Sequence, residues 1–245
     1  MTKNCPLCAS PSRTPYKEHK GHRLFRCDAC RLVYLDPPPA AHLNALYDDA
    51  FEGGTTGYFK KAPAKLMRAR RTIRRIVQAL GRPAAGLTFL DIGANGGFMT
   101  EAAREAGFEA VGIEPDRGAL RYARTHFPQN AYIGGFLETT ALGGRQFDVV
   151  HCSEVIEHSS DLQRFAAHLA GAVKPGGLLY LTTPYLDHWR RPREVTEWDG
   201  FKPPEHCLYF DPKNLAQLLA QHGLRVFRQR FAWKPGIKVF ARKAA

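Results

Sequence analysis

The sequence predicts an α/β protein: a doubly wound, mostly parallel sheet closed by an antiparallel hairpin, with a small cysteine-bearing module at its amino terminus. Three observations predict it. From residue 86 onward short apolar runs alternate with amphipathic stretches, a glycine-rich turn "DIGANGGF" follows the first of those runs, and two Cys-x-x-Cys pairs open the chain. A chain of 245 residues, 44% of them hydrophobic, suits one domain with a sizeable core and a small appendage.

Residues 1–35 carry "CPLC", a gap of 18 residues and "CDAC". Each pair brings two thiolates to one side of a tight turn, and two such turns facing each other complete a tetrahedral zinc site. Cys5, Cys8, Cys27 and Cys30 are the expected ligands. Four thiolates leave no open coordination position, so the expected metal is a structural zinc in a ribbon too small to hold its own core. His19 and His22, in the gap, are expected at the surface. "PPP" at 37–39 marks a boundary.

Residues 36–85 read as a helical cap or linker. "LYDDAFEGGTTGYF" is glycine-rich and reads as an adaptable loop. Next, "KKAPAKLMRARRTIRRIVQALG" sets Leu66, Ala69, Ile73, Ile76, Val77 and Leu80 at helical spacing, with Gly81 as the stop. Its other face holds Lys65, Arg68, Arg71 and Arg75, and no acidic residue occurs from Gly53 to Leu90. The expectation is a solvated basic face, since it lacks the interleaved aromatics that stack single-stranded bases.

Residues 86–245 form the main domain. "LTFLDI", "FEAVGIE", "AYIGG", "FDVVHCS" and "GGLLYLTT" read as strands; "GGFMTEAAREAG", "DRGALRYARTHF" and "DLQRFAAHLAGAV" read as helices, the last with Leu162, Phe165, Leu169 and Val173 on one side. This alternation predicts a parallel sheet covered on both faces. Two strand-like runs around "KPG" in the tail predict the closing hairpin.

In such a sheet a ligand sits beyond the carboxyl ends of the strands, where the first strand turns into its helix. Gly93 and Gly97 stand there. A dinucleotide fingerprint would need glycine at positions 95 and 98, which are Asn and Phe. The pattern Asp-x-Gly-x-x-x-Gly instead resembles the first motif of the class I S-adenosylmethionine-dependent methyltransferases, a Rossmann-like family. The resemblance implies that Asp91 opens a cofactor loop in which Gly93 and Gly97 admit the methionine portion, with Asn95 holding the turn at positive φ. It further implies that Glu114 in "GIEPD" meets the ribose hydroxyls, that backbone groups near Phe136 and Leu137 cover adenine with Glu138 nearby, and that Ser153 and Glu154 border the cofactor. "VKPGGLLYLTTP" resembles the family's turn into the fifth strand, with Pro175 stopping a helix.

An acceptor alcohol or carbon acid must lose a proton, so a base is expected at the strand ends. "EVIEHSSD" offers Glu157 and His158, and "PPEHCLYF" offers Glu205 and His206. An adjoining carboxylate can orient an imidazole and raise its pKa, so either pair suits general-base work, with His158 the first choice. Tyr47, Tyr58 and Tyr185 are candidates to line the acceptor pocket. The Asn/Asp-Pro-Pro-aromatic signature of nucleic-acid amine methyltransferases is absent from the fourth strand, which reads "SEVIEH".

The whole arrangement resembles bacterial methyltransferases of sugars and small metabolites that carry an amino-terminal zinc module. It implies O-methylation of a saccharide or related small molecule, anionic or neutral, and C-methylation is not expected, since the sugar C-methyltransferases carry a further carboxyl-terminal domain that this sequence does not show. Thirty-five Lys and Arg against 23 Asp and Glu leave a net charge of +12, which attracts nucleic acid, acidic lipid heads or phosphorylated metabolites. Ribosomal or transfer RNA is therefore the second acceptor class, and a non-catalytic zinc-ribbon binding protein the third reading. In "DHWRRPREVTEW", Arg190, Arg191 and Arg193 between two tryptophans suit a phosphate or a stacked ring. No apolar run reaches the roughly 18 residues of a membrane span, and the polar start lacks a secretory core, which points to the cytoplasm.

Overall fold

The computed structural model describes residues 4–38, 59–140 and 142–244. Tyr47, Tyr58 and the glycine-rich loop before Phe59 lie outside the described residues. In chain order the regular elements are β1 (Arg13–His19), β2 (His22–Cys27), β3 (Val33–Leu35), α1 (Ala62–Leu80), β4 (Thr88–Ile92), α2 (Phe98–Glu105), β5 (Glu109–Glu114), α3 (Arg117–His126), β6 (Ala131–Gly134) and β7 (Phe147–Ser153). They continue with α4 (Leu162–Ala172), β8 (Val173–Thr183), β9 (Leu208–Tyr209), α5 (Pro212–Gln221), β10 (Leu224–Gln229) and β11 (Ile237–Lys243). One compact unit takes residues 4–38, 153–170 and 181–244, the other 59–140, 142–152 and 171–180.

The larger sheet has the order β10-β11-β8-β7-β4-β5-β6. Its centre is parallel: Leu90 lies beside Val111 and Val150, Asp91 beside Gly112 and His151, and β6 follows β5 in parallel register. Strands buried on both faces read as continuous apolar runs; in "FDVVHCS" every residue but the last is buried. The tail hairpin β10–β11 is antiparallel and stands at the end of the sheet.

Helix α1 follows the apolar spacing. Ala69, Ile73, Ile76, Ala79 and Leu80 are buried, and each buried isoleucine is worth about 2 kcal/mol. Gly81, in the left-handed region, ends the helix by donating its N–H to Val77 O. Helix α4 stops at Ala172, and β8 begins at once with Val173, which lies in the strand rather than on the helix face. Gly177 permits this start, since a Cβ there would lie 2.8 Å from Lys174 O and 3.2 Å from Asp148 O.

In the other unit β1, β2 and β3 form an antiparallel ribbon, and β3 pairs on its free side with β9, setting Val33 beside Tyr209 and Tyr34 beside Leu208. The four ribbon cysteines converge, with Cys5 Sγ 3.5 Å from Cys30 Sγ and Cys8 Sγ 3.5 Å from Cys27 Sγ. Asn214 of α5 donates to Cys30 O, and Gln163 of α4 to Pro6 O.

Asp148 ties the amino-terminal edge of the parallel strands together. It accepts from Thr88 N–H and Oγ1 at 3.0 and 2.9 Å, from Lys174 Nζ at 2.7 Å and from Arg82 at 3.1 Å. Burial works to raise its pKa, but Lys174 and the two Thr88 donors overcome that and hold it at about 2. A carboxyl held below its unfolded value of 3.8 stabilises the fold fully above that value and loses the contribution as pH falls through 2. With Lys174 and Arg82 partly exposed, the contribution is about 1 to 2 kcal/mol. Asp148→Asn is therefore expected to lower stability by that amount at neutral pH and to flatten the decline between about pH 4 and pH 2, as read by denaturant titration.

Candidate active site

The glycine loop leaves β4 and turns sharply, with Gly93, Asn95 and Gly97 all in the left-handed region at φ of 73°, 47° and 78°. Asn95 costs little there among residues with a side chain. Its Oδ1 accepts from Gly96 N–H at 2.7 Å, and its own N–H donates to Glu114 Oε2 at 2.7 Å. Space also enforces the sequence: a Cβ at Gly97 would lie 2.3 Å from Tyr132 Oη, and one at Gly96 would lie 2.5 Å from the Phe59 ring, which stacks on Tyr122.

Asp91 is fully buried beneath this loop. One oxygen accepts from Thr100 Oγ1 of α2 at 2.9 Å and the other from His151 Nδ1 at 2.8 Å, so the carboxylate fastens the strand to the helix that follows the loop. His151 was not singled out from sequence. The signal was a histidine set between apolar residues of a strand, and the parallel register sets it directly beside Asp91. Its ring lies between Phe89 and Tyr180 at centroid distances of 6.3 and 5.7 Å.

Glu114 ends β5, buried, with Oε2 on Asn95 N–H and Oε1 on Asp116 N–H at 2.8 Å. Burial raises its pKa to about 7 against the pull of those two donors. Each oxygen keeps a second lone pair for a ligand hydroxyl. Asp116 then caps α3 by accepting from Ala119 N–H. After β6, Leu137 is buried, and the Phe136 carbonyl accepts from the Thr139 and Thr140 amides and from Thr140 Oγ1 at 2.7 Å.

The other unit holds His158 and His206. Cys207 N–H donates to Glu157 O at 2.9 Å, bringing the turn 156–158 against the loop before β9, and the His158 and His206 rings meet edge to face at 4.6 Å. His158 Nδ1–H donates to Glu205 O and His206 Nδ1–H to Gly200 O, both at 2.9 Å. Carbonyls only accept, so each neutral ring carries its lone pair on Nε2.

The expectation that an adjoining carboxylate orients each imidazole and raises its pKa is overturned. Backbone carbonyls orient both rings, and the Glu205 side chain is exposed. Burial, then the neighbouring His206, lowers His158 to about 4; burial lowers His206 as well. Glu157 is fully buried, accepts from Thr183 Oγ1 at 3.0 Å on one oxygen, and has no hydrogen-bond partner for the other among the described residues. Burial and the Glu154 carboxyl push it well above the usual carboxylate range.

Glu154, at φ 56°, accepts from Thr182 Oγ1, which also meets Ser153 Oγ, both at 2.7 Å. Thr182 and Thr183 escaped the sequence reading because a threonine pair at a strand end is ordinary β chemistry. Tyr185 is half-buried and edge-on to His188. Two side-chain groups among the described residues could hold a metal ion, Cys5, Cys8, Cys27 and Cys30, and Glu157, His158 and His206, each with its ligand atoms within 4.8 Å of one another.

Residues 65–229 match the model of the methyltransferase domain family. The chain is 34% identical over 165 residues to the ubiquinone biosynthesis O-methyltransferase of Ruegeria pomeroyi, covering 63% of this chain and 66% of that one. It is 31% identical over 142 residues to the protein of the same name from Methylobacterium sp. (strain 4-46), covering 50% and 57%. The chain thus spans less than two thirds of either relative's length. Among solved structures, the 1,6-didemethyltoxoflavin-N1-methyltransferase of Burkholderia thailandensis, with S-adenosylhomocysteine bound, superposes with a TM-score of 0.62 at 16% identity over 94% of this chain and 99% of that one. The magnesium protoporphyrin IX methyltransferase of Synechocystis, with S-adenosylmethionine bound, gives 0.60 at 14% identity over 85% and 100%. Those two share the fold. The loop, the strand order and the family match agree: the chain belongs to the methyltransferase domain family, of the class I S-adenosylmethionine-dependent kind.

Proposed function

We propose that the protein methylates a hydroxyl oxygen of a small-molecule acceptor, with the His158–His206 pair removing the proton. The observation that carries this reading is the pair itself: two buried-side imidazoles locked by backbone carbonyls into the tautomer whose Nε2 accepts a proton. Bound S-adenosylmethionine supplies a methyl group made electrophilic by its sulfonium charge. Asp91, Gly93, Asn95 and Gly97 would shape the cradle for its methionine portion, Glu114 would take the ribose hydroxyls, Phe136 and Leu137 would border the adenine, and Ser153 and Glu154 would border the cofactor. His158 Nε2 takes the acceptor's O–H proton as the oxygen–methyl bond forms and the sulfur–methyl bond breaks. His206 positions that ring, and the Glu205 carbonyl holds its tautomer.

A base held at about 4 favours an acidic hydroxyl. A phenol, near 10 on the tyrosine scale, is a better match than the weaker acid of a sugar alcohol. The O-methyltransferase names of the relatives agree with oxygen as the acceptor atom. A saccharide hydroxyl and RNA are the other acceptors to test. Methyl-labelled S-adenosylmethionine offered with the protein to phenolic metabolites, to sugar nucleotides and glycans, and to unmodified RNA separates them; label confined to RNA overturns the small-molecule reading.

His158→Ala is expected to keep cofactor affinity and lose turnover by about 100-fold or more. In the wild-type protein the base is competent when neutral, so activity falls with acid only as pH approaches about 4, not 6.5. Unchanged turnover in the variant removes His158 from the role.

Glu114 offers its strongest acceptor when ionised, and with a pKa of about 7 cofactor affinity is expected to rise from about pH 6 to pH 8. Glu114→Gln should weaken binding by roughly tenfold and abolish that rise, as read by calorimetry. Failure of the folded wild-type protein to bind the cofactor supports the binding-protein reading instead.

The four cysteines fit a structural zinc. Zinc–sulfur bonds of 2.3 Å in a tetrahedron separate the sulfurs by about 3.8 Å, close to the 3.5 Å contacts here. Because the β3 strand of the ribbon pairs with β9 beside His206, stripping the metal is expected to lower both the melting temperature and turnover. Purified protein without about one bound zinc per chain by elemental analysis contradicts this assignment.

A further inference from the structure

Three of the large hydrophobic side chains left exposed among the described residues stand together. Trp189 is 69% exposed, Phe231 67% and Trp233 67%. Trp189 lies in the loop after β8, and the other two form the tip between β10 and β11. His188 fastens these loops: its Nε2–H donates to Ala232 O at 3.0 Å while its Nδ1 accepts from Arg190 N–H at 3.1 Å. The Arg190 guanidinium lies over both indoles, 5.4 Å from Trp189 and 5.3 Å from Trp233. Phe231 meets Trp233 edge-on at 5.3 Å. Of the three arginines that the sequence offered for a phosphate or a stacked ring, Arg190 lies against Trp189 and Trp233, and Arg191 turns inward onto Leu186 O and Pro192 O.

The charge of the carboxyl-terminal stretch that carries the tip has one sign. From Pro212 to the last residue the sequence has eight Lys and Arg and no Asp or Glu, and Arg228, Arg230 and Lys234 flank the aromatic tip. Exposed aromatic residues with a polar edge, ringed by cations, match the interface of an anionic bilayer, where the rings sit at headgroup level and the cations meet lipid phosphates. Single-stranded nucleic acid also combines cations with exposed rings and is the alternative separated by the test; here the Arg190 guanidinium occupies one face of each indole, and Phe231 and Trp233 stand perpendicular rather than in a parallel stack.

We propose that Trp189, Phe231, Trp233 and Arg190 form a peripheral docking surface for membranes rich in anionic phospholipid. None of the described helices is long and apolar enough to cross a bilayer, so attachment is to the surface and reversible. The proposal does not depend on which acceptor is methylated.

The test mixes the full-length protein with vesicles of phosphatidylcholine alone, with vesicles of equal parts phosphatidylcholine and phosphatidylglycerol, and with single-stranded RNA. Binding to the anionic vesicles should be at least about tenfold tighter than to the neutral ones and should weaken with added salt. Tryptophan emission should shift to the blue and be quenched by brominated acyl chains, a readout that needs no variant. The triple change Trp189→Ala, Phe231→Ala and Trp233→Ala removes exposed side chains, and it should cut vesicle binding by at least about tenfold while leaving turnover on a water-soluble acceptor unchanged. No binding of the wild-type protein to anionic vesicles, binding that the triple change leaves intact, or tighter RNA binding lost in the triple variant each overturns the proposal.

Discussion

The geometry of the histidine cluster depends on the backbone of one residue, Cys207. Its N–H donates to Glu157 O, its carbonyl accepts from Leu35 N–H, and its thiol donates to Ser159 O at 3.1 Å, so the turn carrying His158, the loop carrying His206 and the last ribbon strand share one buried link. Each bond is worth about 1 kcal/mol net, but leaving such a buried group unpaired costs about 1 to 3 kcal/mol, so the three stand or fall together. The ribbon is consequently not an ornament on its unit. Its strand β3 is the partner that gives β9 a sheet to join, and without β9 the loop before it has little to fix the ring of His206.

The glycine loop solves a different problem in its own unit. Three left-handed positions within five residues are an unfavourable backbone, and only one of them has a side chain. Glu114 and Asp91 offset this from below and beside the loop, Glu114 through the Asn95 amide and Asp91 through Thr100 and His151. Both carboxyls are buried, so their hydrogen bonds are strong and their loss correspondingly costly. The cradle is stiff for the same reason.

What could be read in advance was what chain-local chemistry determines. The alternation of elements, the terminal hairpin, the stop at Gly81 and the tolerance of Asn95 for positive φ follow from period, turn residues and sterics within a few positions. What could not be read is which distant groups meet. His151 lies beside Asp91 only because β4 and β7 pair in that register, although they are far apart in sequence. The two histidines are oriented by carbonyls, which every residue possesses and no sequence pattern marks. The same limit explains Arg190: its neighbouring tryptophan in sequence was visible, while Trp233 arrives only through the hairpin.

The titrations of the cluster bear on the proposed reaction as a whole. Burial pushes His158 down to about 4, so near neutral pH it is an uncharged base, while burial and the Glu154 carboxyl push Glu157 well above the usual carboxylate range. Pairs of titratable groups driven apart by a shared environment are how one site holds opposite proton roles. An acceptor oxygen gaining negative character and a sulfonium losing its positive charge annihilate charge as the methyl moves, and a setting of low dielectric favours that change over the separated charges. In the proposed reaction the burial that makes His158 a weak base would also leave an acceptor oxygen poorly solvated, and so more nucleophilic, once its proton leaves. In the proposed reaction that trade would select for acceptors whose proton is already easy to remove, as a phenolic hydroxyl's is compared with an aliphatic one's.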